Sequence, residues 1–454
     1  MFVRRNCAFL LSSSQRRKTV RTYAHSPDYI TRDEILQQAS TLQLAPMMDY
    51  TDRHFRHLIR LLSKQTLLYT EMVSANAVAH ERHSHQTQYR HEHPHASEAT
   101  VTQNYNVDYI ATRFLTQGTA QEGPSVLQLG GSDPDLLYPA ARAVSELSQR
   151  SEYHCDYTAL NLNCGCPSPK VAGKGCFGAA LMDDPALVRD LCQALYEGGQ
   201  QQYPVTVKCR IGTDSKRSWK DDNDEAQYQE LCHFIETVAA GGIVQDFTIH
   251  ARIAVLTKSF SPADNRKIPP LKYHLIQRLV QDYPHLRFTL NGGIESIPQV
   301  QDQLSRMPGL RGVMVGRAFC ADPWRFSCAD ALLYNNDTEV PHRWHVLQQY
   351  AQYADAQEQL YDATTIRRFL MKAVTGLFAG EPNSKKYRIA LDEIAGLPKK
   401  GIHTPISELL LEAATKHLSE ETLFRSPLES YEFQTQTQNK DLVREWQADR
   451  HATL

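Results

Sequence analysis

Eight short apolar segments recur along the chain, separated by amphipathic stretches, and this alternation limits the fold more than any other feature. The predicted strands are Leu42–Met47, Leu67–Met72, Ser125–Leu129, Tyr157–Asn163, Val205–Arg210, Asp246–Arg252, Arg287–Asn291 and Gly312–Gly316. Apolar residues three and four apart predict helices between them, over His54–Leu62, Asp135–Leu147, Pro185–Tyr196, Glu225–Ala239 and Leu271–Tyr283. The pattern predicts an α/β fold of the closed (β/α)8 TIM-barrel type. An open doubly wound sheet is the alternative, but no glycine-rich fingerprint follows the first strand.

The length of 454 residues suits one barrel with an appended region. We predict the barrel over residues 38–335, with an inserted polar loop at about 81–122. The strand rhythm stops near residue 341, and the pattern then predicts a helical domain over 341–433 and a polar tail over 434–454. Five histidines of the insertion raise the alternative of a metal site, but an exposed polar loop is favoured.

The first 24 residues are rich in arginine and contain no acidic residue, a composition typical of an organelle transit peptide. We expect import into mitochondria, with plastids or the cytoplasm as alternatives. No apolar run is long enough to cross a bilayer, so we expect no membrane association. The net charge of −2 argues against a generally basic nucleic-acid coat, so any RNA contact must be a local basic patch.

Polar residues and glycines follow the predicted strands, whose carboxyl ends meet at one mouth in a barrel of this type. Asn291-Gly292-Gly293 and Gly316-Arg317 follow the last two strands. Barrels commonly bind a phosphate there, because glycine lets backbone N–H groups approach it and arginine supplies a forked donor. We therefore predict a phosphate site, with two ordinary tight turns as the alternative.

Lys208 and His250 are predicted to end the fifth and sixth strands, and Gln128 lies in the third. A flavin that accepts hydride builds negative charge on its ring, and cations near the ring stabilise that form. These positions suit a lysine and a histidine beside a flavin, with Gln128 hydrogen-bonded to its polar edge. The alternative is a lysine reaching to solvent and a histidine satisfied in the core.

Cys164 and Cys166 lie on a predicted loop over the mouth, bounded by glycine and proline. Structural zinc is an alternative, with Cys155 and Cys176 as further ligands, but the Cys-Gly-Cys spacing is tighter than zinc sites normally use. We predict no metal site. A thiol in this position is better interpreted as a proton donor or a nucleophile.

Three long segments carry a resemblance to a known family: Leu44 to Arg53, Asn161 to Met182, and His250-Ala251-Arg252 followed by Ser261-Pro262 and Asn265-Arg266. The chain resembles the tRNA-dihydrouridine synthases, and among them the A-type branch that modifies positions 20 and 20a. The resemblance implies FMN as the bound flavin, NADPH as the reductant and tRNA as the partner. It implies Cys166 as the catalytic acid. It implies tRNA contacts at Asn163, Arg266 and Lys372, the last within the helical domain. The implied FMN contacts are Pro46, Met47, Met48, Gln128, Lys208, His250, Asn291, Gly292, Gly293, Gly316 and Arg317.

The expected reaction is reduction of uridine to 5,6-dihydrouridine in the D-loop of tRNA. Hydride from flavin N5 adds to uracil C6, and Cys166 delivers a proton to C5. Six basic residues of the predicted helical domain suit RNA binding: Arg367, Arg368, Lys372, Lys385, Lys386 and Arg388. Two alternatives are an FMN barrel that reduces free pyrimidines and a non-catalytic RNA-binding barrel. No stable protein partner is inferred.

Overall fold

The computed structural model describes residues 30–104, 115, 122–149, 157–168, 171, 177–215, 218–221, 223–257, 259–336, 341–429 and 431. The predicted transit peptide and the predicted polar tail lie outside these residues. Among the described residues, no helix is long and apolar enough to cross a membrane.

Parallel strands form a closed barrel, as the sequence predicts. The strands are β1 (Leu42–Leu44), β2 (Leu67–Tyr69), β3 (Val73–Ser74), β4 (Ser125–Gly130), β5 (Ala159–Cys164), β6 (Val205–Arg210), β7 (Val244–His250), β8 (Arg287–Asn291) and β9 (Gly312–Val315). Their order is β2-β1-β9-β8-β7-β6-β5-β4-β3, and a further pairing of β2 with β4 closes the ring. The two-residue β3, which the sequence did not predict, extends the edge of β4 beyond β2.

Helices surround the barrel and continue after it. Those up to residue 334 are α1 (Arg32–Ala39), α2 (Arg53–Leu62), α3 (Ala75–Glu92), α4 (Glu98–Asn104), α5 (Pro134–Ser148), α6 (Pro185–Gly198), α7 (Asp224–Ala239), α8 (Tyr273–Asp282), α9 (Ile297–Arg306), α10 (Arg317–Ala321) and α11 (Ala329–Tyr334). The later helices are α12 (Arg343–Leu360), α13 (Ala363–Ala373), α14 (Ser384–Gly396), α15 (Ile406–His417) and α16 (Glu420–Phe424). Short 3-10 helices cover Gly178–Asp183, Asp264–Arg266, Pro323–Phe326 and Leu397–Lys400.

Along the strands, apolar side chains of the main core alternate with polar side chains that bond to one another. Leu160, Val207 and Phe247 are fully or almost fully buried in the main hydrophobic core, which also contains the apolar faces of the surrounding helices. Residues at the alternate positions bond to one another across the strands: the Asn161 amide donates to Thr206 Oγ1 at 2.8 Å, and the Gln43 amide donates to Thr289 Oγ1 at 2.9 Å. The barrel interior is therefore partly polar, with hydrogen bonds that offset the cost of burying these groups.

Aromatic and histidine side chains join α12 of the C-terminal helices to α2 of the barrel. The His57 ring stacks on the Tyr353 ring with centroids 3.8 Å apart, and His54 Nδ1 lies 2.9 Å from Tyr353 Oη. Burial lowers the pKa of His54 to about 3 and that of His57 to about 4. Both rings are therefore neutral near pH 7, and this contact does not depend on histidine charge in that range.

The segment predicted as a polar loop at about 81–122 differs in the structure, because its first part is helical. Helix α3 buries Val78 and Ala79, and Arg82 pairs with Glu146 of α5 at 2.8 Å. Helix α4 follows it, and most of the segment between residues 105 and 121 lies outside the described residues.

Candidate active site

A cavity of about 940 Å³ opens at the carboxyl ends of the strands, which is within the usual range for a small-molecule or cofactor site. Its walls include every predicted site residue except Lys372: Pro46, Met47, Met48, Gln128, Asn163, Cys166, Lys208, His250, Arg266, Asn291, Gly292, Gly293, Gly316 and Arg317. Side chains separated by most of the barrel sequence thus share one space.

Strand register places the polar residues of the cavity side by side. In the parallel register, Asn163 of β5 lies beside Lys208 of β6, and His250 of β7 lies beside Asn291 of β8. Arg210, at the end of β6, lies beside His250 in the register of β6 and β7. Because neighbouring parallel strands end at the same edge, these groups form a continuous arc around the cavity.

Hydrogen-bonded amides fix the backbone of the cysteine loop. Asn163 Oδ1 accepts bonds from the backbone N–H groups of Gly165 and Cys166, each at 3.0 Å. Asn163 Nδ2 donates to Gln128 Oε1 at 3.0 Å, and Gln128 Nε2 donates to Asn161 Oδ1 at 2.8 Å. This chain of amides ties Cys166 to the rigid interior of the barrel, so the thiol has a defined place on the cavity wall.

Glycine is required at both positions of the turn after β8. Gly292 has φ +114° and Gly293 has φ +76°, a region that other residues rarely adopt. A Cβ atom on Gly292 would lie 2.6 Å from His250 Cδ2, and one on Gly293 would lie 2.6 Å from Leu271 Cδ1. The turn therefore brings bare backbone against the cavity and against the His250 ring.

Lys208 and His250 line the cavity, and no hydrogen bond or ion pair to either side chain is found among the described residues. Loss of hydration, with a smaller contribution from Arg210, lowers the pKa of Lys208 to about 8. Burial, together with the nearby cations Arg210 and Lys208, holds the pKa of His250 well below its ordinary value. Lys208 is thus mostly charged at pH 7. Burial, together with these cationic neighbours, thus keeps the His250 ring neutral in the free protein.

Arg210 connects two loops at the mouth, the cysteine loop and the segment between β7 and α8. Its Nε donates to the Gly165 carbonyl at 3.0 Å, and its Nη1 donates to the carbonyls of Ile253 and Asn265 at 3.1 Å and 3.0 Å. The side chain is buried, and burial lowers its pKa to about 10, which leaves it charged at neutral pH. One guanidinium therefore holds the cysteine loop, the start of the segment after β7 and the 3-10 helix that contains Arg266 in a fixed relation.

Lys372 of α13 lies outside the cavity wall but contacts the loop that follows β1. Its Nζ donates to the Asp49 carbonyl and lies 4.9 Å from the centre of the Tyr50 ring. Asp49 has φ 65°, and its backbone N–H donates to Glu71 Oε1 at 2.5 Å. A barrel carboxylate and a lysine of the helical region thus hold the backbone N–H and the backbone C=O of one residue, Asp49, beside Met47 and Met48.

Comparison with known proteins agrees with this geometry. A model of the dihydrouridine synthase (Dus) family matches residues 43–417. The chain belongs to the dihydrouridine synthase family. A tRNA-dihydrouridine(20/20a) synthase of Synechocystis is 36% identical over 360 residues, covering 79% of this chain and 91% of that protein. Proteins of the same name from Salmonella typhi and Vibrio parahaemolyticus are 36% and 34% identical, covering 79% and 83% of this chain and 90% and 96% of their own.

Membership of the dihydrouridine synthase family confirms the family resemblance seen in the sequence and, with it, an oxidoreductase activity. The TIM-barrel prediction is also confirmed. Sequence reasoning assigns no role to Arg210 or Tyr50, although both lie where site residues are expected, at the end of β6 and after the end of β1.

The alternative of a zinc site gains no support from the described residues of this dihydrouridine synthase family member. They contain no group of three His, Cys, Asp or Glu side chains placed to hold a metal ion. Cys164 is fully buried, and burial holds the pKa of its thiol well above the ordinary value. Cys155 and Cys176 lie outside the described residues.

Proposed function

We propose that this enzyme reduces uridine to 5,6-dihydrouridine in the D-loop of tRNA, at position 20, position 20a or both. The observation that carries the proposal is the cavity wall itself, where the half-buried thiol of Cys166 shares one space with Lys208, His250 and the Gly292-Gly293 turn. The relatives named above are tRNA-dihydrouridine(20/20a) synthases and match most of the chain.

FMN fits the residues that line the cavity. The ammonium of Lys208 and the imidazole of His250 line it without hydrogen-bond partners among the described residues, which suits the polar edge of an isoalloxazine ring. The Gly292-Gly293 turn and Arg317 offer bare backbone and a cation for the phosphate. When bound, FMN supplies the hydride for uracil C6, and NADPH is the proposed reductant that restores it.

The chain itself contributes the proton and the position of the base. Cys166 holds a proton at Sγ for uracil C5, where negative charge develops during reduction. The Asn163 side chain bonds to the Cys166 backbone amide and also lines the cavity, so it sets the place of the thiol next to the base. Because a base in folded RNA must leave its stack to enter this cavity, the target uridine is splayed out on binding.

The surface of the helical region suits RNA, with one revision to the predicted basic cluster. Arg368, Lys372, Lys385, Lys386 and Arg388 are exposed. Arg367 is fully buried instead, where it pairs with Glu358 at 2.5 Å and donates to the Thr404 carbonyl at 2.9 Å. Exposed lysines and arginines of α13 and α14 are therefore the proposed phosphate contacts, and Arg367 stabilises the fold.

Nucleotide-resolution mapping of dihydrouridine tests the proposal. The protein is incubated with FMN, NADPH and an unmodified tRNA, and with free uridine or uracil in parallel. We expect dihydrouridine at position 20 or 20a and no reduction of the free compounds. Reduction of the free pyrimidines alone would favour the small-molecule alternative. Bound flavin and bound tRNA without any dihydrouridine would favour a non-catalytic RNA-binding protein.

Flavin affinity is expected to fall as the pH rises through about 8, the pKa to which Lys208 is lowered in the free protein. The charged ammonium is the form that suits the flavin edge. It predominates below that pKa and is lost above it, so binding weakens on the alkaline side. Fluorescence titration of FMN between pH 6 and 10 measures the effect, a range that brackets that pKa.

The variant Lys208→Met is the control for this titration. Its side chain keeps most of the apolar bulk but cannot be charged, so we expect weaker binding at pH 7 and a flat profile through pH 8, the region of the Lys208 pKa. An alkaline loss of affinity that persists in Lys208→Met would assign the titration to another group.

A further inference from the structure

Two large side chains with apolar surface lie exposed at the outer rim of the site, and a third lies on α13, the helix whose Lys372 contacts that rim. Met48 is 56% exposed and Tyr50 is 53% exposed, and both also line the mouth of the cavity. Phe369, on α13, is 44% exposed. The first two continue the cavity wall outward, so whatever enters the cavity passes them.

A lysine links the barrel and helical parts of this rim. The Lys372 ammonium lies 4.9 Å from the centre of the Tyr50 ring and donates to the Asp49 carbonyl. Phe369 lies three residues before Lys372 on α13, and both are exposed, so they share one face of that helix. Arg368 beside them is exposed as well. The rim therefore combines aromatic rings with positive charge.

This combination suits an unpaired nucleotide. Every base has a flat face that stacks on an aromatic ring, and the adjoining phosphate pairs with a lysine. Tyr50 has an ammonium at its ring and is still half exposed, so ring surface is available for a second flat group. The inner cavity wall presents amides, a thiol and Lys208 instead, which suits the reacting base and the cofactor.

We propose that Tyr50, Phe369 and Lys372 form a second nucleotide subsite outside the cavity, which holds the unpaired nucleotide next to the target uridine. This inference rests on the proposed function, because it assumes that a tRNA uridine enters the cavity. The neighbouring base stacks on Tyr50, and Phe369 extends the apolar surface. The phosphate between the two nucleotides pairs with Lys372, whose ammonium has three donors. Binding of the neighbouring nucleotide at this subsite determines which uridine reaches Cys166.

A double-mutant cycle that combines substitutions of Tyr50 with removal of a single base from the tRNA tests the subsite. Three tRNAs are compared: the intact form, and forms with an abasic nucleotide directly 5′ or 3′ of the target uridine. Dissociation constants are measured with flavin-loaded enzyme and no reductant, so that no turnover occurs. We expect Tyr50→Ala to weaken binding of intact tRNA about tenfold and Tyr50→Phe, which keeps the ring, to bind as the wild type does.

The test depends on whether the effects of the Tyr50 substitution and of the missing base on the dissociation constant are coupled. For one of the two abasic tRNAs, we expect the wild type to bind about as weakly as Tyr50→Ala binds intact tRNA. We expect Tyr50→Ala to bind that abasic tRNA no more weakly than it binds intact tRNA. Tyr50→Leu, which keeps apolar bulk without a ring, should behave as Tyr50→Ala. Equal tenfold losses on all three tRNAs, or no loss on intact tRNA, would overturn the subsite.

Tyr138 offers a matched control. It is a tyrosine of similar exposure, 43%, but it lies on α5 of the barrel and away from the cavity wall. Tyr138→Ala should bind all three tRNAs as the wild type does. Lys372→Met should lower the slope of log affinity against log salt by about one unit, and an unchanged slope would remove the phosphate contact from the proposal.

The subsite and the proposed function fail in different ways. If the wild type forms no dihydrouridine in any tRNA, the proposed function fails. If it forms dihydrouridine but the cycle shows no coupling at either neighbour, only the subsite is wrong.

Discussion

Replacing Cys166 by alanine is expected to slow uridine reduction by about 10²- to 10⁴-fold, the usual contribution of a positioned acid, while FMN and tRNA binding persist. The thiol is the proposed source of the proton for uracil C5. Truncation removes that proton without releasing the loop, because Asn163 holds the backbone amides of Gly165 and Cys166 and not the sulfur. Single-turnover reduction of tRNA by the prereduced enzyme measures the step directly.

The control for Cys166→Ala is another thiol of the same cavity. Cys320 also lines the wall, and burial raises the pKa of its thiol to about 12. Cys320→Ala is expected to reduce tRNA at a rate close to that of the wild type. Loss of turnover in Cys320→Ala with normal turnover in Cys166→Ala would transfer the role of acid to Cys320.

The barrel is predictable because its strands and helices have distinct periods in the sequence. β6 and β8 have the predicted bounds, and the helix predicted over Glu225–Ala239 differs by one residue at its start. β1 ends at Leu44, three residues before the predicted end, because the chain turns into the cavity loop that carries Pro46 and Met47. Local periodicity locates strands well, but it does not show where a strand gives way to a functional loop.

Helix α3 is an element of the fold that hydrophobic periodicity does not predict. Its sequence is rich in histidine and has no regular apolar stripe, so the pattern predicts a loop over much of it. The helix is held by tertiary contacts instead: Val78 and Ala79 are buried, and Arg82 pairs with Glu146 of α5. Such contacts depend on the position of α5 and cannot be deduced from the segment alone.

Convergence of the site is predictable from the sequence, but the charge of its members is not. Because the carboxyl ends of barrel strands meet at one mouth, the positions of Asn163, Lys208 and His250 in the chain are enough to bring them together. The neutral state of His250 depends on its burial and on the proximity of Arg210 and Lys208, which only the folded chain defines. The contact of Lys372 with the Asp49 carbonyl likewise joins residues 323 positions apart, which no local pattern indicates.

Arg210→Ala is expected to lower kcat about 100-fold with little change in the KM for tRNA, since a misplaced reacting group costs about that much. The substitution removes the donors that hold the carbonyls of Gly165, Ile253 and Asn265. The cysteine loop then loses its link to the 3-10 helix that contains Arg266, although Asn163 still holds the backbone amides of that loop. Arg210 is thus a positioning residue, and its loss should act on the reaction more than on RNA binding.

Chemical rescue distinguishes this role from a general loss of stability. Arg210→Ala leaves space for a guanidinium ion, which can donate to the same three carbonyls, so added guanidinium at non-denaturing concentrations is expected to restore part of kcat. In Arg210→Met the side chain fills that space, and the ion should have no effect. Arg210→Lys keeps a cation but lacks the forked donor geometry, so it should recover less activity than rescued Arg210→Ala. Full activity in Arg210→Met, or equal rescue of both variants, would show that the bonds to Gly165, Ile253 and Asn265 do not position Cys166.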